Sequence, residues 1–190
     1  MANKKTTDTA ANPEVATATP EPTQAQSKMA AGDSLEESIN LDKNVTITSL
    51  AGWNTSFPRL TSVGDVLVPP YGSTRLSTSE VIAQVQSNRP LFTGTDGAGS
   101  HATYYINDEQ LRRYLGFDAP DGTASQKYLT EKLVKKLFEA KSQRAFEESF
   151  AELVKTRAEK KYVIRCIENL KINDFSKIRF AESYTGFKVG

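Results

Sequence analysis

The stretch LTEKLVKKLF, residues 129–138, decides the fold of this chain. Its apolar side chains return every three or four residues, which is the spacing of one face of an amphipathic helix. They are Leu129, Leu133, Val134, Leu137 and Phe138. The stretch therefore predicts a helix over about 125–140 whose apolar face joins the core of a helical bundle.

The helical period continues towards the C-terminus. Apolar residues keep the same spacing in 146–154 and in 162–170, where Cys166 is expected to be a buried structural cysteine. A last helix is expected to begin near Asp174 and to end at Gly186, because aspartate caps helix starts and glycine follows helix ends. Residues 126–190 thus form a helical region, and its fifteen basic residues outweigh its nine acidic ones.

The residues before the helical region have the pattern of short strands. Residues 45–50, VTITSL, alternate apolar and polar side chains. Residues 65–68, DVLV, end at a Pro-Pro pair that cannot continue a central strand. Further strands are expected at 91–93 and 102–106, which are short apolar runs beside turn residues.

Two short helices are expected among these strands. Ser77–Glu80 matches a capping box and predicts a helix through Val85, while Asn107 and the acidic residues after it predict a second helix that ends near Gly116. Residues 41–120 should therefore form a small α+β domain, which a turn-rich hinge at 121–125 joins to the helical region.

The first 40 residues differ from both parts. They are mostly Ala, Thr, Pro, Glu and Gln, and they contain no aromatic residue. Such a segment cannot bury enough apolar surface to offset the loss of backbone entropy on folding. The predicted fold is therefore α+β, with a disordered N-terminal tail over 1–40.

The stretch LFTGTDGAGSH, residues 91–101, contains three glycines and the only histidine of the chain. Gly94 and Gly99 have P-loop spacing, but Ser100 stands where that loop needs its lysine. We therefore interpret the stretch as the loop of a β-hairpin in which Gly97 has a positive φ. His101 would begin the second strand and form a hydrogen bond with a neighbouring carbonyl.

No catalytic, cofactor-binding or metal-binding residues are assigned from the sequence. One histidine and one cysteine cannot supply the three or four ligands of a typical metal site, and no G-x-S-x-G motif occurs. We therefore expect that the protein is not an enzyme. The apolar runs are far shorter than the roughly 20 residues that span a bilayer, so no membrane partner is expected.

Four blocks of the sequence resemble small proteins encoded among the structural genes of tailed bacteriophages. The blocks are GWNTSFPRL (52–60), GDVLVPPYG (64–72), LFTGTDGAGSHATYYIND (91–108) and KTRAEKKYVIRCIENLKINDF (155–175). The resemblance implies a virion-associated protein that is present in the host cytoplasm during assembly. Its partners would be other virion proteins near the capsid or portal, with itself as a further partner in a homo-oligomer.

Two functions follow as hypotheses. The first is a structural or adaptor component of a phage particle, capsid- or head-associated, which binds neighbouring subunits through its tail and loops. Its candidate protein-contact residues are Trp53, Phe57, Asp96, Gly97 and His101. The alternative is a nucleic-acid-binding regulatory protein that uses its basic helices in a helix-turn-helix arrangement. The candidate residues for an acidic surface or nucleic acid are Lys155, Arg157, Lys160, Lys161 and Arg165.

Overall fold

The computed structural model describes residues 39–123 and 125–190 as an α+β protein, which confirms the predicted fold class. The predicted disordered tail lies outside the described residues except for Ile39 and Asn40. Within the described part of the chain, short strands come first and a series of helices follows.

In the described residues, five strands form two small antiparallel sheets. They are β1 (Asn44–Ser49), β2 (Thr55–Pro58), β3 (Asp65–Val68), β4 (Ser73–Ser77) and β5 (Tyr104–Ile106). One sheet has the order β4-β1-β5, and β2 pairs with β3 in a separate hairpin. The seven helices of the described residues are α1 (Thr78–Gln86), α2 (Pro90–Thr93), α3 (Glu109–Tyr114), α4 (Glu131–Phe138), α5 (Gln143–Leu153), α6 (Arg157–Asn169) and α7 (Phe175–Thr185).

The first core lies between the strands and helices α1 to α3. Alternation along β1 buries Val45 and Ile47, as the sequence pattern predicted. Phe57, Phe92 and Tyr104 pack around one another with ring centroids 5.0 to 5.6 Å apart. Each buried aromatic or aliphatic side chain of this kind stabilises the fold by roughly 1.5–3 kcal/mol.

The second core lies among helices α4 to α7. The apolar faces predicted for these helices meet there, and Phe146 and Phe150 are fully buried at its centre. Cys166 is a buried free cysteine, as expected. Leu50 and Ala51, which follow β1, also pack in this core. The segment after β1 therefore contacts the helices directly.

The prediction of a strand at 91–93 is wrong, because these residues lie in the one-turn helix α2. Pro90 occupies the first position of this helix. A backbone N–H at that position has no partner within the helix, so proline loses no hydrogen bond there, and its fixed φ suits a helix. A short apolar run such as Leu91-Phe92 has no period that separates helix from strand. The hairpin interpretation of 91–106 fails with it, since β5 pairs with β1.

Two further boundaries differ from the sequence analysis. No strand was predicted in the block GWNTSFPRL, but Thr55–Pro58 within it is strand β2, which pairs with β3. The first helix of the helical region starts at Glu131 and not near 125, because the hydroxyl of Thr130 caps it by accepting from Leu133 N.

The remaining helix ends follow their local signals. Ser77 caps α1 through Glu80 N, and Asp108 caps α3 through Leu111 N. Asp174 caps α7, and Gly186 ends that helix in the left-handed conformation. The starts of α1 and α7 and the end of α7 were predicted correctly, because each depends on residues within one helical turn. The predicted start of α3 at Asn107 is one residue early, since Asp108 is its cap.

Replacement of Gly97 by valine is expected to lower the free energy of unfolding by about 1 kcal/mol. Gly97 has the predicted positive φ, 78°, and a β-carbon there would meet nothing within 4 Å, so the cost arises from backbone strain alone. Urea unfolding measures it. Ala98→Val, at the next exposed position, is the control and should cost less. Equal effects of the two changes would contradict the assignment.

Candidate functional site

The glycine-rich loop between α2 and β5 holds His101 in a buried and strained position. His101 is only 6% exposed, and its φ of 59° lies in the left-handed region, which is uncommon for residues other than glycine. The loop folds back on itself because the carboxylate of Asp96 accepts from Ala98 N and Ser100 N. Burial acts to raise the pKa of Asp96, but a hydrogen bond from the Ser100 side chain and those from Ala98 N and Ser100 N outweigh it and lower that pKa.

Two glycines make this fold of the loop possible. A β-carbon at Gly94 would lie 2.0 Å from the carbonyl oxygen of Ser100, and one at Gly99 would lie 2.8 Å from the ring of Phe117. Both distances are too short for any other residue without movement of the backbone or the ring. The two glycines therefore allow close packing of the loop against itself and against Phe117.

The partner of His101 is Glu159, at the start of α6. His101 Nδ1 lies 2.7 Å from Glu159 Oε1, and both side chains are buried. A carboxylate only accepts, so Nδ1 donates and Nε2 is the nitrogen that can serve a ligand. The other oxygen of Glu159 accepts from Lys155 N, Thr156 N and Thr156 Oγ1. The expected bond of His101 to a neighbouring carbonyl is therefore replaced by a bond to a carboxylate 58 residues away.

His101 and Glu159 border a cavity of about 300 Å³. Leu129, Leu133 and Leu153 form its apolar wall. Lys127 and Glu152 also line it; their side chains are exposed, and the atoms Nζ and Oε1 lie 3.8 Å apart. The cavity thus has an apolar wall, a histidine at a buried position and two opposite charges that reach solvent.

Gln126 and Tyr128 also line the cavity. The amide of Gln126 donates to Gly99 O and Tyr104 O and accepts from Ile106 N. Burial raises the pKa of Tyr128 to about 12, so its hydroxyl keeps its proton at neutral pH. Of the buried polar side chains that line the cavity, His101 has a ring nitrogen, Nε2, that can bind a polar ligand atom.

The candidate basic residues of α6 contact other parts of the same chain. The guanidinium of Arg157 lies 5.1 Å from the ring centroid of Trp53, and that of Arg165 lies 4.0 Å from the ring centroid of Tyr71. Lys161 Nζ donates to Gly52 O at 3.2 Å. The segments that flank β2 and β3 are thus held against α6. Trp53 and Arg157, which the sequence analysis assigned to two different contact surfaces, contact each other.

Two other basic candidates differ in their surroundings. Lys160 Nζ lies 5.0 Å from the ring centroid of Tyr184, whereas Lys155 is exposed. In the second helix of the expected helix-turn-helix, Lys177 is buried and donates to Phe138 O and Ala140 O. That lysine stabilises the carbonyl end of α4 and does not face a phosphate backbone.

The candidate protein-contact residues divide into exposed and buried ones. Asp96 and Gly97 are exposed, and Trp53 packs in part against the second core. Phe57 and His101 are buried, so the structure does not support them as docking residues. Phe57 lies in strand β2 and packs in the first core. His101 is held in its buried position by the hydrogen bond to Glu159.

The sequence analysis missed three exposed apolar side chains on the β2–β3 hairpin, which we together call the hairpin tip: Leu60, Val63 and Leu67. Val63 is fully exposed and Leu67 is 66% exposed. Alternation in the segment Asp65–Val68 could have identified Leu67, since it lies on the strand face opposite Val66 and Val68.

The carboxylate of Glu80 holds the loop of the hairpin tip. It accepts from Leu60 N at 2.9 Å, from Thr61 N at 2.9 Å and from Thr61 Oγ1 at 2.5 Å. Gln84 Nε2 also donates to it. Burial acts to raise the pKa of Glu80, but the hydrogen bonds from Thr61, Gln84 and Leu60 outweigh it and lower that pKa to about 2.

No protein-family model, curated protein or solved structure matches this chain. Among residues 39–123 and 125–190, no three His, Cys, Asp or Glu side chains are grouped so that they could hold a metal ion. In the same residues no helix has the length and apolar character needed to cross a membrane.

Proposed function

We propose that this chain is a structural or adaptor component of a bacteriophage particle, capsid- or head-associated, and that it docks on a neighbouring virion subunit through the hairpin tip. The tip, with three exposed apolar side chains on one anchored hairpin, is the observation that supports the docking role. The phage context is supported by the four sequence blocks described above. The protein would be in the host cytoplasm during assembly and afterwards in the virion.

The hairpin tip suits docking because its loop is held in one conformation before a partner arrives. The Glu80 carboxylate fixes the backbone at Leu60 and Thr61. A fixed loop loses little conformational entropy on binding, so more of the contact energy appears as affinity. Burial of exposed Val63 and Leu67 in a partner's pocket would supply that energy at roughly 25 cal/mol per Å² of apolar surface.

The nucleic-acid alternative has less support from the side chains. Arg157, Lys161 and Arg165 contact Trp53, Gly52 and Tyr71 of the same chain. Three of the five candidate cations are thus engaged within the chain, whereas a site that follows a phosphate backbone depends on several free cations. Protein docking is therefore the function that the arrangement favours.

The docking proposal is tested with the proteins encoded by the genes that flank this one. Each is co-expressed with the full chain, and the mass of any complex is measured by sedimentation and native mass spectrometry. We expect a stoichiometric complex with at least one of them. The double change Val63→Asp and Leu67→Asp should weaken it at least tenfold, because charges would enter an apolar contact.

The control variant is Gln143→Asp together with Ser176→Asp, which adds the same two charges at exposed polar positions in the first turns of α5 and α7, outside the hairpin. It should leave the affinity within a few-fold of the wild-type value. A complex that tolerates the changes at Val63 and Leu67 would exclude the hairpin tip as the docking surface. Failure to bind any flanking protein would count against the adaptor function itself.

A further inference from the structure

The cavity beside His101 has features that the adaptor role does not use. His101 is buried, has a backbone conformation that is costly for a residue with a side chain, and is oriented by a buried carboxylate. Strained and buried polar residues of this kind concentrate at ligand sites, where the surroundings hold them in place. A carboxylate behind Nδ1 is also the usual means of aiming Nε2 at a ligand.

We infer that this cavity is a binding site for a small uncharged molecule that has an apolar body and one hydroxyl group, such as a phenol or an aryl alcohol. The hydroxyl would donate to His101 Nε2. The apolar body would lie against Leu129, Leu133 and Leu153. A volume of about 300 Å³ is at the small end of the range for ligand pockets, so the ligand is a compact one.

The charges around the cavity favour an uncharged ligand over an anion. Glu152 and Glu159 oppose the single ammonium of Lys127. Even a positive charge on the His101 ring would only bring the net charge of these four side chains to zero. An anion would therefore meet no net attraction, and its burial would carry a desolvation cost that a neutral hydroxyl avoids.

A cation is disfavoured for a different reason. The carboxylate of Glu159 is saturated by His101 Nδ1 and by three donors at Lys155 and Thr156. The carboxylate of Glu152 is exposed. The buried part of the cavity therefore offers a cation no free anionic oxygen, whereas it offers a hydroxyl the second ring nitrogen of His101, Nε2.

Three matched probes test the inference on the full-length protein. They are 2-naphthol, naphthalene and 2-naphthoate, which share one apolar body and differ in the polar group. Fluorescence titration should give one site for 2-naphthol and about tenfold weaker binding of naphthalene, which lacks the hydrogen bond. Binding of 2-naphthoate should be weaker than that of 2-naphthol. Equal affinities for 2-naphthol and naphthalene, tighter binding of 2-naphthoate or absence of 2-naphthol binding would each overturn the inference.

Two variants locate the site. Leu133→Trp should fill the cavity and reduce 2-naphthol binding at least tenfold, and undiminished binding would place the ligand elsewhere. His101→Asn removes Nε2 while asparagine tolerates the left-handed backbone, so 2-naphthol should lose its advantage over naphthalene. Retention of that advantage in a folded His101→Asn protein would also overturn the inference. The comparison of probes on the unaltered protein stands whether or not either variant folds.

Discussion

Replacement of Glu80 by alanine is expected to lower the free energy of unfolding by about 3 kcal/mol. The change removes a buried acceptor of hydrogen bonds from Leu60, Thr61 and Gln84. Loss of the carboxylate leaves Gln84, which is buried, with fewer partners. The donors of Leu60 and Thr61 lie in an exposed loop where water can replace part of the loss, so the cost stays well below the sum of the individual bonds. Urea unfolding at pH 7 measures the difference.

The contribution of Glu80 should also depend on pH in a definite direction. Its pKa falls from an ordinary value of 4.5 to about 2 on folding, because the folded protein stabilises the charged form. The resulting stabilisation, on the order of 3 kcal/mol at most, is fully present above pH 4.5 and is lost as the pH falls towards 2. Stability curves of the wild-type protein and Glu80→Gln should therefore converge over that range.

Glu109→Ala is the matched control for Glu80→Ala. It removes an exposed glutamate from the first turn of α3, whereas Glu80 is a buried glutamate in the first turn of α1. An exposed glutamate at that position should contribute less than about 1 kcal/mol. If Glu80→Ala cost no more than this control, the carboxylate would not anchor the hairpin loop. Weaker docking by a folded Glu80→Ala protein would in addition link the anchor to the proposed function.

Replacement of Gly94 by alanine is expected to lower the free energy of unfolding by about 3 kcal/mol or more. The φ and ψ of Gly94, 70° and −152°, lie in a region that is essentially restricted to glycine. A β-carbon there would also lie 2.0 Å from Ser100 O, so the loop must open to accommodate it. The opening would displace His101, and the variant should lose its affinity for 2-naphthol together with stability. Thermal unfolding and the fluorescence titration measure the two effects.

Gly116→Ala separates strain from overlap. Gly116 has nearly the same φ, 74°, but a β-carbon there would meet nothing within 4 Å. Its replacement should cost about 1 kcal/mol and leave 2-naphthol binding unchanged. Equal losses of unfolding free energy at Gly94 and Gly116 would mean that the overlap with Ser100 adds no energetic cost. The loop would then not hold His101 in place.

The sequence by itself determined the elements whose signals are local. Alternation identified β1, the apolar run that ends at a Pro-Pro pair identified β3, and cap residues and a glycine identified the starts of α1 and α7 and the end of α7. The positive φ of Gly97 followed from the residue before it and from the loop context. These features depend on side chains within a few residues of one another, where the chain's own geometry leaves few alternatives.

Tertiary structure decided where the polar side chains point. Glu80 and Glu159 both stand at the third position of a helix after a capping hydroxyl, and the sequence treats them alike. The carboxylate of Glu159 completes its capping box and also accepts a hydrogen bond from His101. The carboxylate of Glu80 instead accepts hydrogen bonds from the loop at Leu60 and Thr61. A carboxylate accepts wherever folding brings donors close in a buried place, because an unpaired charge there would be costly. Those donors lie 19 to 58 residues away along the chain, so only the packing of the two cores brings them within reach.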